Sequence, residues 1–490
     1  MTTALPSTVR TQLYIAEQFV DAEGAATFDN ISPATGRVIN TVAAASESDV
    51  DRAVAAARKS FDDGTWSRIA PAERKAVLLK FADLIEKNAD ELALIDSIDA
   101  GKPITDCEQL DIPDVVLTVR WYAEAIDKVF GKVSPTGPDN IGLVVREPAG
   151  VVAVVVPWNF PSNTLSWKIG PALAAGNSIV VKPAELSPLS ALRYAELATE
   201  AGIPSGVFNV VPGLGHIAGK ALGLHHDVDV VTFTGSTEVG RMFLKYAADS
   251  NLKQVALEMG GKSPQIVFGD MRDELEKVAS DLADAAFWNG GQNCSAGSRI
   301  LVHNSIKGDF VKLMAELASG RKVGDPLDRA TEIGPLIEAA ARDRVLGYID
   351  NAKAAGSTVY GGGRILDETG GFFVSPAVID HVGTDDAVVQ EEIFGPVVAV
   401  LGFDTEEQAI ALANDTAYGL AANVWTRDIN VALRVARAVR AGTVAVNGFS
   451  EGDISTPFGG FGLSGFGGHD KGLEAFDQYT ELKTIWITLH

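Results

Sequence analysis

Strand and helix patterns alternate along residues 150–248, and this alternation constrains the fold more than any other feature of the chain. Gly150–Val156 is rich in β-branched residues and is stopped by Pro157, which is typical of a strand buried on both faces. Successive strand–helix units form parallel, doubly wound sheets, which bind ligands beyond the carboxyl ends of their strands. Further strands are predicted at Ser178–Val181, Val207–Val211 and Val228–Phe233, and helices at Trp167–Ala175, Ser187–Ala201, Ile217–Leu222 and Glu238–Ala248.

A second series of the same kind begins near Gly261, so the sequence predicts two α/β domains. A chain of 490 residues is long enough for two or more domains. The second series has strands at Pro264–Phe268, Arg299–Val302, Val397–Phe403 and Thr443–Val446, and helices at Glu274–Trp288, Ile306–Ala318, Ala339–Ala355, Glu406–Asn414 and Ile429–Val439. Before the first series, helices are predicted at Ser46–Phe61, which opens with a cap, at Pro71–Ile95, as one helix or two, and at Asp111–Val129.

Composition narrows the classes of partner. The net charge of −23, from 41 basic and 64 acidic residues, would repel nucleic acid and anionic membranes, and neither is expected as a partner. Two cysteines far apart cannot form a disulfide framework, which favours a reducing cytoplasm. No apolar run reaches transmembrane length, Met1–Pro6 lacks the features of a signal peptide, and no metal is expected.

Cys294 is the strongest candidate for chemistry. It lies in Gly291–Gly297, where small and polar neighbours leave room for a ligand beside the thiol. Covalent catalysis by cysteine needs such an accessible, activated site. The alternative at this point is a buried, inert cysteine.

Two motifs suggest that a dinucleotide occupies the crevice of the first domain. Lys182 and Glu185 follow a strand, where a carboxylate can accept hydrogen bonds from ribose hydroxyls. Gly235 and Ser236 form a turn at a helix start, where free backbone N–H groups favour phosphate. Alternatively, the Lys–Glu pair lies on the surface and Ser236 is an ordinary N-cap. The segment Gly213–Gly219 is one residue too long for G-x-G-x-x-G and is weak by itself.

Six motifs in order resemble those of the NAD(P)-dependent aldehyde dehydrogenase superfamily, over about residues 12–488. The resemblance implies an α/β fold with two doubly wound parallel-sheet domains and a small β oligomerisation element. It also implies an NAD-binding domain at 1–126 and 147–260, a catalytic domain at 261–464, and oligomerisation strands at 127–146 and 477–490 in a homodimer or homotetramer. The motifs are Pro157–Pro161, Phe233–Gly240, Leu257–Lys262, Gly291–Arg299, Glu391–Pro396 and Pro457–Gly460.

The resemblance also implies catalytic roles. Cys294 would attack an aldehyde, Asn159 would donate to the oxyanion, and Glu258 would be the base that hydrolyses the thioester. NAD is the expected cofactor, with NADP possible, because Glu185 would repel a 2′-phosphate. The implied cofactor contacts are Val156, Pro157, Trp158, Lys182, Glu185, Gly215, Gly235, Ser236, Glu392 and Phe394.

One segment departs from the pattern of the family. Relatives often carry Gly-Arg-Glu where this chain has Gly468-His469-Asp470, so His469 replaces a Glu that is sometimes assigned to a proton relay. Lys168, its usual companion, is present. A relay through Asp470 is left open, and a His at this place would make deacylation more pH-dependent near neutrality.

Arg120–Lys128 and Thr480–Ile487 resemble the γ-glutamyl-γ-aminobutyraldehyde dehydrogenase branch, so polyamine-derived aminoaldehydes are the leading substrates. Asp111 and Asp114 would attract the ammonium group of such a substrate at the tunnel mouth. Alternatively, Asp111 is an N-cap and Asp114 complements a helix dipole. The other implied tunnel residues are Phe160, Ser162, Asn163, Trp167, Asn293, Ser295, Phe449, Glu451 and Phe458.

Three alternatives remain open at this point. The enzyme could be a broad aliphatic or aromatic aldehyde dehydrogenase. It could belong to the acylating branch, which hands the thioester to coenzyme A, but that branch generally lacks the equivalent of Glu258. A non-catalytic binding or structural protein on the same fold would be indicated by loss of Cys294, Asn159 or Glu258, and the sequence has all three.

Overall fold

The structure, a computed structural model, describes residues 5–490. Residues 1–4, which belong to the Met1–Pro6 segment considered above, lie outside the described residues. Within the described part of the chain, none of the helices combines the length and the apolar character that crossing a bilayer requires.

Twenty strands and fifteen α-helices follow in chain order. The strands are β1 Leu13–Ile15, β2 Gln18–Val20, β3 Thr27–Ile31, β4 Val38–Ala43, β5 Lys132–Ser134, β6 Asn140–Pro148, β7 Val151–Val155, β8 Ser178–Lys182, β9 Phe208–Val210, β10 Val230–Gly235, β11 Gln254–Met259, β12 Pro264–Val267, β13 Arg299–His303, β14 Thr358–Arg364, β15 Val374–Asp380, β16 Val397–Phe403, β17 Ala421–Trp425, β18 Thr443–Val446, β19 Gly465–Phe466 and β20 Thr480–Thr488. The helices are α1 Glu47–Asp63, α2 Pro71–Lys87, α3 Ala89–Ala100, α4 Ile104–Asp106, α5 Ile112–Ala125, α6 Pro161–Ala175, α7 Leu189–Ala201, α8 Lys220–Leu224, α9 Thr237–Ala248, α10 Leu275–Phe287, α11 Asn304–Gly320, α12 Ala339–Ala354, α13 Ala387–Gln390, α14 Glu406–Asn414 and α15 Ile429–Ala438.

The first sheet has the order β19-β11-β10-β7-β8-β9-β1-β2, and its five central strands are parallel. Every residue of β7 and β8 is buried, as the β-branched runs predict. In the parallel register of β10 and β11, Thr234 lies opposite Glu258. The carboxyl ends of these strands therefore deliver Glu258 and the residues after β7 to the same edge of the sheet.

The second sheet has the order β14-β15-β16-β13-β12-β17-β18 and is parallel from β15 to β18. The α/β class predicted from the alternating patterns is confirmed. The sequence patterns missed β3, β4, β11, β14, β15, β17 and β19, because short strands without a clear alternating pattern resemble loops or helix ends.

One difference and two agreements concern helices. The first helix after β7 begins at Pro161 rather than at Trp167, because a proline suits the first helical position while its polar neighbours hide the apolar period. The segment Pro71–Ile95 forms two helices that meet at Asn88. The predicted cap on α1 is confirmed, since Ser46 and Asp49 form a capping box.

A three-stranded antiparallel sheet, in the order β20-β6-β5, stands apart from the two large sheets. The register of β20 and β6 runs from Thr480 opposite Pro148 to Thr488 opposite Asn140. Large apolar side chains of β20 are exposed, among them Leu482 and Trp486. The strands within the two segments 127–146 and 477–490, which the resemblance links to oligomerisation, thus pair with each other.

Candidate active site

A cavity beyond the carboxyl ends of β7, β10 and β11 brings most of the predicted site residues together. Catalytic, cofactor and substrate candidates share one continuous wall. The predicted residues that line it are Asp111, Asp114, Pro157, Trp158, Asn159, Phe160, Asn163, Trp167, Gly235, Ser236, Glu258, Asn293, Cys294, Glu392, Phe394 and Glu451.

The turn that carries Cys294 depends on left-handed backbone. After α10, Asn289, Gly290 and Gly291 have φ values of 50°, 63° and 70°. A Cβ at Gly291 would lie 2.1 Å from the carbonyl oxygen of Gly395, so only glycine fits there. The turn places the Cys294 side chain, which is partly exposed, in the cavity wall.

Asn159 is bonded to this turn by both its side chain and its main chain. Its Nδ2 donates to the carbonyl oxygen of Gln292 at 2.8 Å, and its own carbonyl accepts from Asn289 Nδ2 at 2.9 Å. An amide carries two N–H groups, so one remains free to donate into the cavity beside Cys294. These two hydrogen bonds therefore fix the position of Asn159 relative to the loop that carries Cys294.

Glu258, on β11, is a buried carboxyl group in the cavity wall. Burial, with a contribution from the charge of Asp470, raises its pKa to about 8. Its Oε1 has no hydrogen-bond partner among residues 5–490. Burial also raises the pKa of the Cys294 thiol, and nearby Glu258 and Glu451 raise it further. Because its pKa is raised, Cys294 is a neutral thiol at rest rather than a permanently ionised thiolate, and Glu258 is the nearby group that can accept its proton.

Behind Glu258, Lys168 and Asp470 form a buried ion pair with an N–O distance of 3.0 Å. Lys168, Asp470 and Glu258 all line a second, very small cavity. His469 does not occupy this place, and its carbonyl accepts a hydrogen bond from Gln478. The carboxylate beside Lys168 belongs to Asp470, one residue after His469, so the geometry agrees with the relay through Asp470 that the sequence left open.

The opposite end of the cavity contains the candidate nicotinamide contacts. Glu392 Oε1 accepts from the N–H of Gly261 at 3.1 Å. A Cβ at Gly260 would lie 2.0 Å from the Glu392 carboxylate, so the glycine permits this approach. Burial raises the pKa of Glu392 to about 7. Trp158 and Phe394 pack edge to face, with ring centroids 5.3 Å apart.

The candidate ribose contacts lie outside the cavity wall. Lys182 Nζ and Glu185 Oε2 form an ion pair at 2.7 Å, and Glu185 Oε1 accepts from the N–H of Gly215 at 3.3 Å. The alternative of a surface pair is wrong for Lys182, which is buried. Val156 is also buried and packs in the hydrophobic core without lining the cavity.

The chain fits a dinucleotide at this end. Ser236 caps α9, as its Oγ accepts from the N–H of Val239 at 3.3 Å, and Gly235 and Ser236 both border the cavity. A Cβ at Gly215 would meet only Glu185, at 3.7 Å, which leaves open space beside the glycine. A helix N-terminus, an open glycine and a half-exposed carboxylate are what phosphate and ribose require.

The substrate end is aromatic with two acidic groups. Asp114 Oδ2 accepts from Trp167 Nε1 at 3.1 Å and from Asn163 Nδ2 at 3.2 Å. Glu451 Oε1 accepts from Asn293 Nδ2 at 3.3 Å and from Ser295 Oγ. Each carboxylate is thus oriented by two donors and borders the cavity.

Some tunnel assignments need correction. Asp111 does not offer a free charge, because its carboxylate pairs with buried Lys102 at 2.6 Å, and its side chain makes no helix cap. Phe458 is fully buried behind Trp167, with ring centroids 5.5 Å apart. Phe449 borders a neighbouring depression. Ser162 and Ser295 are fully buried and do not line the cavity.

With the geometry established, comparison with known proteins is informative. The aldehyde dehydrogenase family profile matches residues 19–485. The chain belongs to the aldehyde dehydrogenase family. The aminoacetaldehyde dehydrogenase of Pseudomonas aeruginosa is 52% identical over 97% of this chain and 95% of its own length. The NADP/NAD-dependent aldehyde dehydrogenase PuuC of Escherichia coli K12 is 47% identical over 99% of this chain and 97% of its own length.

A solved structure extends the comparison to the fold. The γ-glutamyl-γ-aminobutyraldehyde dehydrogenase of Burkholderia cenocepacia superposes with a TM-score of 0.96, at 50% identity, over 98% of this chain and 97% of that one. The fold predicted from the resemblance, and the assignment to this branch of the aldehyde dehydrogenases, are confirmed.

This aldehyde dehydrogenase has cavity residues that sequence reasoning missed. Trp288 packs against Phe160 with centroids 5.0 Å apart, and Lys471 borders the substrate end. Lys471 directly follows Gly468–Asp470, where the sequence differs from the pattern of the family. That difference was a sequence signal that residues next to this segment also reach the site. The other missed residues are Leu110, Thr164, Thr234, Gly260, Arg344 and Gly452.

The neighbours of Glu258 generate a pH prediction. We expect thioester hydrolysis to accelerate with pH up to about 8, because the base must be ionised. The rising part of the pH–rate profile should move to lower pH by about one unit in Asp470→Asn and to higher pH in Lys168→Met. The reason is that the charges of Asp470 and Lys168 act on the pKa of Glu258 in opposite directions. Rapid-quench measurement of the acyl-enzyme across pH checks this.

Asp477→Asn, at an exposed carboxylate, is the matched control and should leave the rising part of the profile in place. Shifts of Asp470→Asn and Lys168→Met in the same direction would contradict the electrostatic account.

Proposed function

We propose that this enzyme oxidises an aldehyde to the carboxylate with NAD or NADP, and that the substrate is a polyamine-derived aminoaldehyde. The observation that supports this most strongly is that Cys294, Glu258 and Asn159 face one cavity, which continues to Ser236 and Glu392. A nucleophile, a base and an oxyanion donor are thereby placed next to a dinucleotide site. PuuC is described as NADP/NAD-dependent, which supports the same cofactors here.

The first step is attack by Cys294. Its Sγ forms a bond to the aldehyde carbon while the thiol proton passes to Glu258, whose raised pKa makes it a stronger base than an ordinary carboxylate. The carbonyl electron pair moves to oxygen, and the free N–H of Asn159, together with the backbone N–H of Cys294, donates to this oxyanion. One such preorganised donor is typically worth about 3–4 kcal/mol.

A bound dinucleotide would supply the hydride acceptor, so that loss of hydride from the former aldehyde carbon would leave a thioester on Cys294. Glu258 gives up the proton that it received from the thiol and then removes a proton from a water molecule that attacks the thioester carbon. The carbon–sulfur bond breaks, the carboxylic acid leaves as carboxylate and proton, and the Cys294 thiolate takes the proton back from Glu258. Lys168 and Asp470, which line the small cavity behind Glu258, provide the route by which its proton leaves.

The substrate class rests on charge. Asp114 and Glu451 are half-buried carboxylates at the aromatic end of the cavity, where they would attract an ammonium group. The relatives named above support this assignment, since one is described as an aminoacetaldehyde dehydrogenase and another as a γ-glutamyl-γ-aminobutyraldehyde dehydrogenase.

We further propose the division into an NAD-binding domain at 1–126 and 147–260, a catalytic domain at 261–464, and oligomerisation strands at 127–146 and 477–490. The separate sheet of β5, β6 and β20 supports the last of these. Its edge strand β20 exposes Trp486 and Leu482, which favours pairing with another copy in a homodimer or homotetramer.

The unpaired thiols Cys107 and Cys294 favour a cytoplasmic location.

A substrate panel tests the proposal. We expect NADH formation to be most efficient with γ-aminobutyraldehyde and 3-aminopropionaldehyde, and less efficient with propanal and benzaldehyde. Asp114→Asn keeps an oxygen acceptor for Trp167 but removes the charge, so it should raise KM for the cationic aldehydes by about fivefold to tenfold. Asp83→Asn, at an exposed site on α2, is the control. Faster turnover of benzaldehyde than of the aminoaldehydes would overturn the substrate class and leave the mechanism standing.

Cofactor choice gives a separate test. Glu185→Gln keeps the hydrogen-bonding geometry toward Gly215 while removing the charge that repels a 2′-phosphate. The ratio of kcat/KM for NADP to that for NAD should rise about tenfold. Glu200→Gln, at the exposed end of α7, should leave this ratio unaltered. An unchanged ratio in the Glu185→Gln enzyme would remove Glu185 from cofactor selection.

A further inference from the structure

Lys471 places a positive charge inside the end of the cavity that is otherwise acidic. The residue is only 5% exposed, and the surface that it retains borders the same cavity as Cys294. Among residues 5–490, no carboxylate lies within 4 Å of its ammonium group, in contrast to Lys102 and Lys168, which are both paired. A buried ammonium without a carboxylate partner is costly unless a ligand or another group compensates it.

Aromatic rings supply part of that compensation. The Lys471 Nζ lies 4.3 Å from the ring centroid of Trp167 and 5.4 Å from that of Phe458. Both rings attract cations, so contact with them stabilises the ammonium. Phe458 is buried and does not line the cavity, so Trp167 is the ring that could have received the ammonium of a substrate, and Lys471 already lies over it.

The backbone holds this arrangement in place. Lys471 has a φ of +60°, a left-handed conformation that a lysine adopts only when its surroundings enforce it. On one side, Asp470 exchanges backbone hydrogen bonds with Phe458 and pairs with Lys168. On the other side, the N–H of Gly472 donates to the carbonyl of Ile454 at 2.8 Å. The ammonium is thus positioned in advance of ligand binding.

The charges at this end of the cavity now form a set with both signs. Asp114 accepts hydrogen bonds from Trp167 and Asn163 and none from Lys471. Glu451 accepts hydrogen bonds from Asn293 and Ser295. Asp111 does not contribute to this set, because Lys102 neutralises it. A ligand that satisfies all three groups carries an anionic group as well as an ammonium.

We propose that Lys471 binds the carboxylate of an aldehyde whose tail carries both an ammonium and a carboxylate, as the end group of an α-amino acid does. Asp114 and Glu451 then receive the ammonium of the same end group. This inference rests on the proposed function and deepens it, since a simple aminoaldehyde leaves Lys471 without a partner.

Four aldehydes separate the contributions of charge: butanal with none, γ-aminobutyraldehyde with an ammonium, succinic semialdehyde with a carboxylate, and γ-glutamyl-γ-aminobutyraldehyde with both. In Lys471→Met, KM for the two carboxylate-bearing aldehydes should rise at least tenfold relative to KM for butanal, whereas kcat should change much less. Lys471→Arg, which keeps the charge, should recover most of the loss. Lys312→Met, at an exposed lysine of α11, is the control and should behave as the wild type.

An equal rise of KM for all four aldehydes would overturn the proposal and leave Lys471 as a positioning residue for Trp167. A separate binding measurement distinguishes this from failure of the proposed function. Thermal stabilisation by the product γ-glutamyl-γ-aminobutyrate should be strong in the wild type and weak in Lys471→Met. If that difference is seen but the wild type oxidises none of the four aldehydes, only the proposed function fails; if the difference is absent, only the role of Lys471 fails.

Discussion

The site depends on the pair of hydrogen bonds that join Asn159 to the loop before Cys294. Asn159 follows a strand of the first sheet, whereas the loop leads into a strand of the second, so these bonds tie the two halves of the molecule together at the reacting atoms. Each bond is buried, where an unpaired amide or carbonyl is costly. The oxyanion donor and the nucleophile are consequently placed with respect to each other before any substrate arrives.

Burial then determines how the chemistry is divided. The same low-polarity surroundings raise the pKa of the Cys294 thiol and of the Glu258 carboxyl, so neither group is an isolated ion in the resting enzyme. A carboxyl with a pKa of about 8 can accept a proton from the thiol and later from water. Lys168 and Asp470 adjust that value from behind, and they do so as a pair whose charges nearly cancel.

Much of this could be predicted from the sequence. The β-branched strands β7 and β8 and the Ser46 cap follow from local rules, and Cys294, Asn159 and Glu258 follow from motifs. What the sequence could not provide was the pairing of charges between distant segments. Asp111 looked like a free tunnel charge, and only the fold shows Lys102 beside it. His469 stands where relatives have a Glu, a relay through Asp470 was left open, and only the fold shows that Asp470 pairs with Lys168.

Lys471 is a further charge whose place in the cavity depends on the fold. Its position after the unusual segment Gly468–Asp470 was a local signal, but its place beside Trp167 depends on a contact with a residue about 300 positions earlier in the chain. Charge placement within a cavity is a tertiary property, so the reaction was easier to predict than the substrate.

The most direct test of the account is the intact mass of the Glu258→Gln enzyme after mixing with γ-aminobutyraldehyde and NAD. The account predicts that one equivalent of NADH forms per active site, more slowly than in the wild type because the variant lacks the carboxylate that takes the thiol proton, and that the mass increases by the acyl group, which maps to Cys294 by peptide analysis. NADH formation without an adduct on Cys294, or an adduct on another residue, would contradict it.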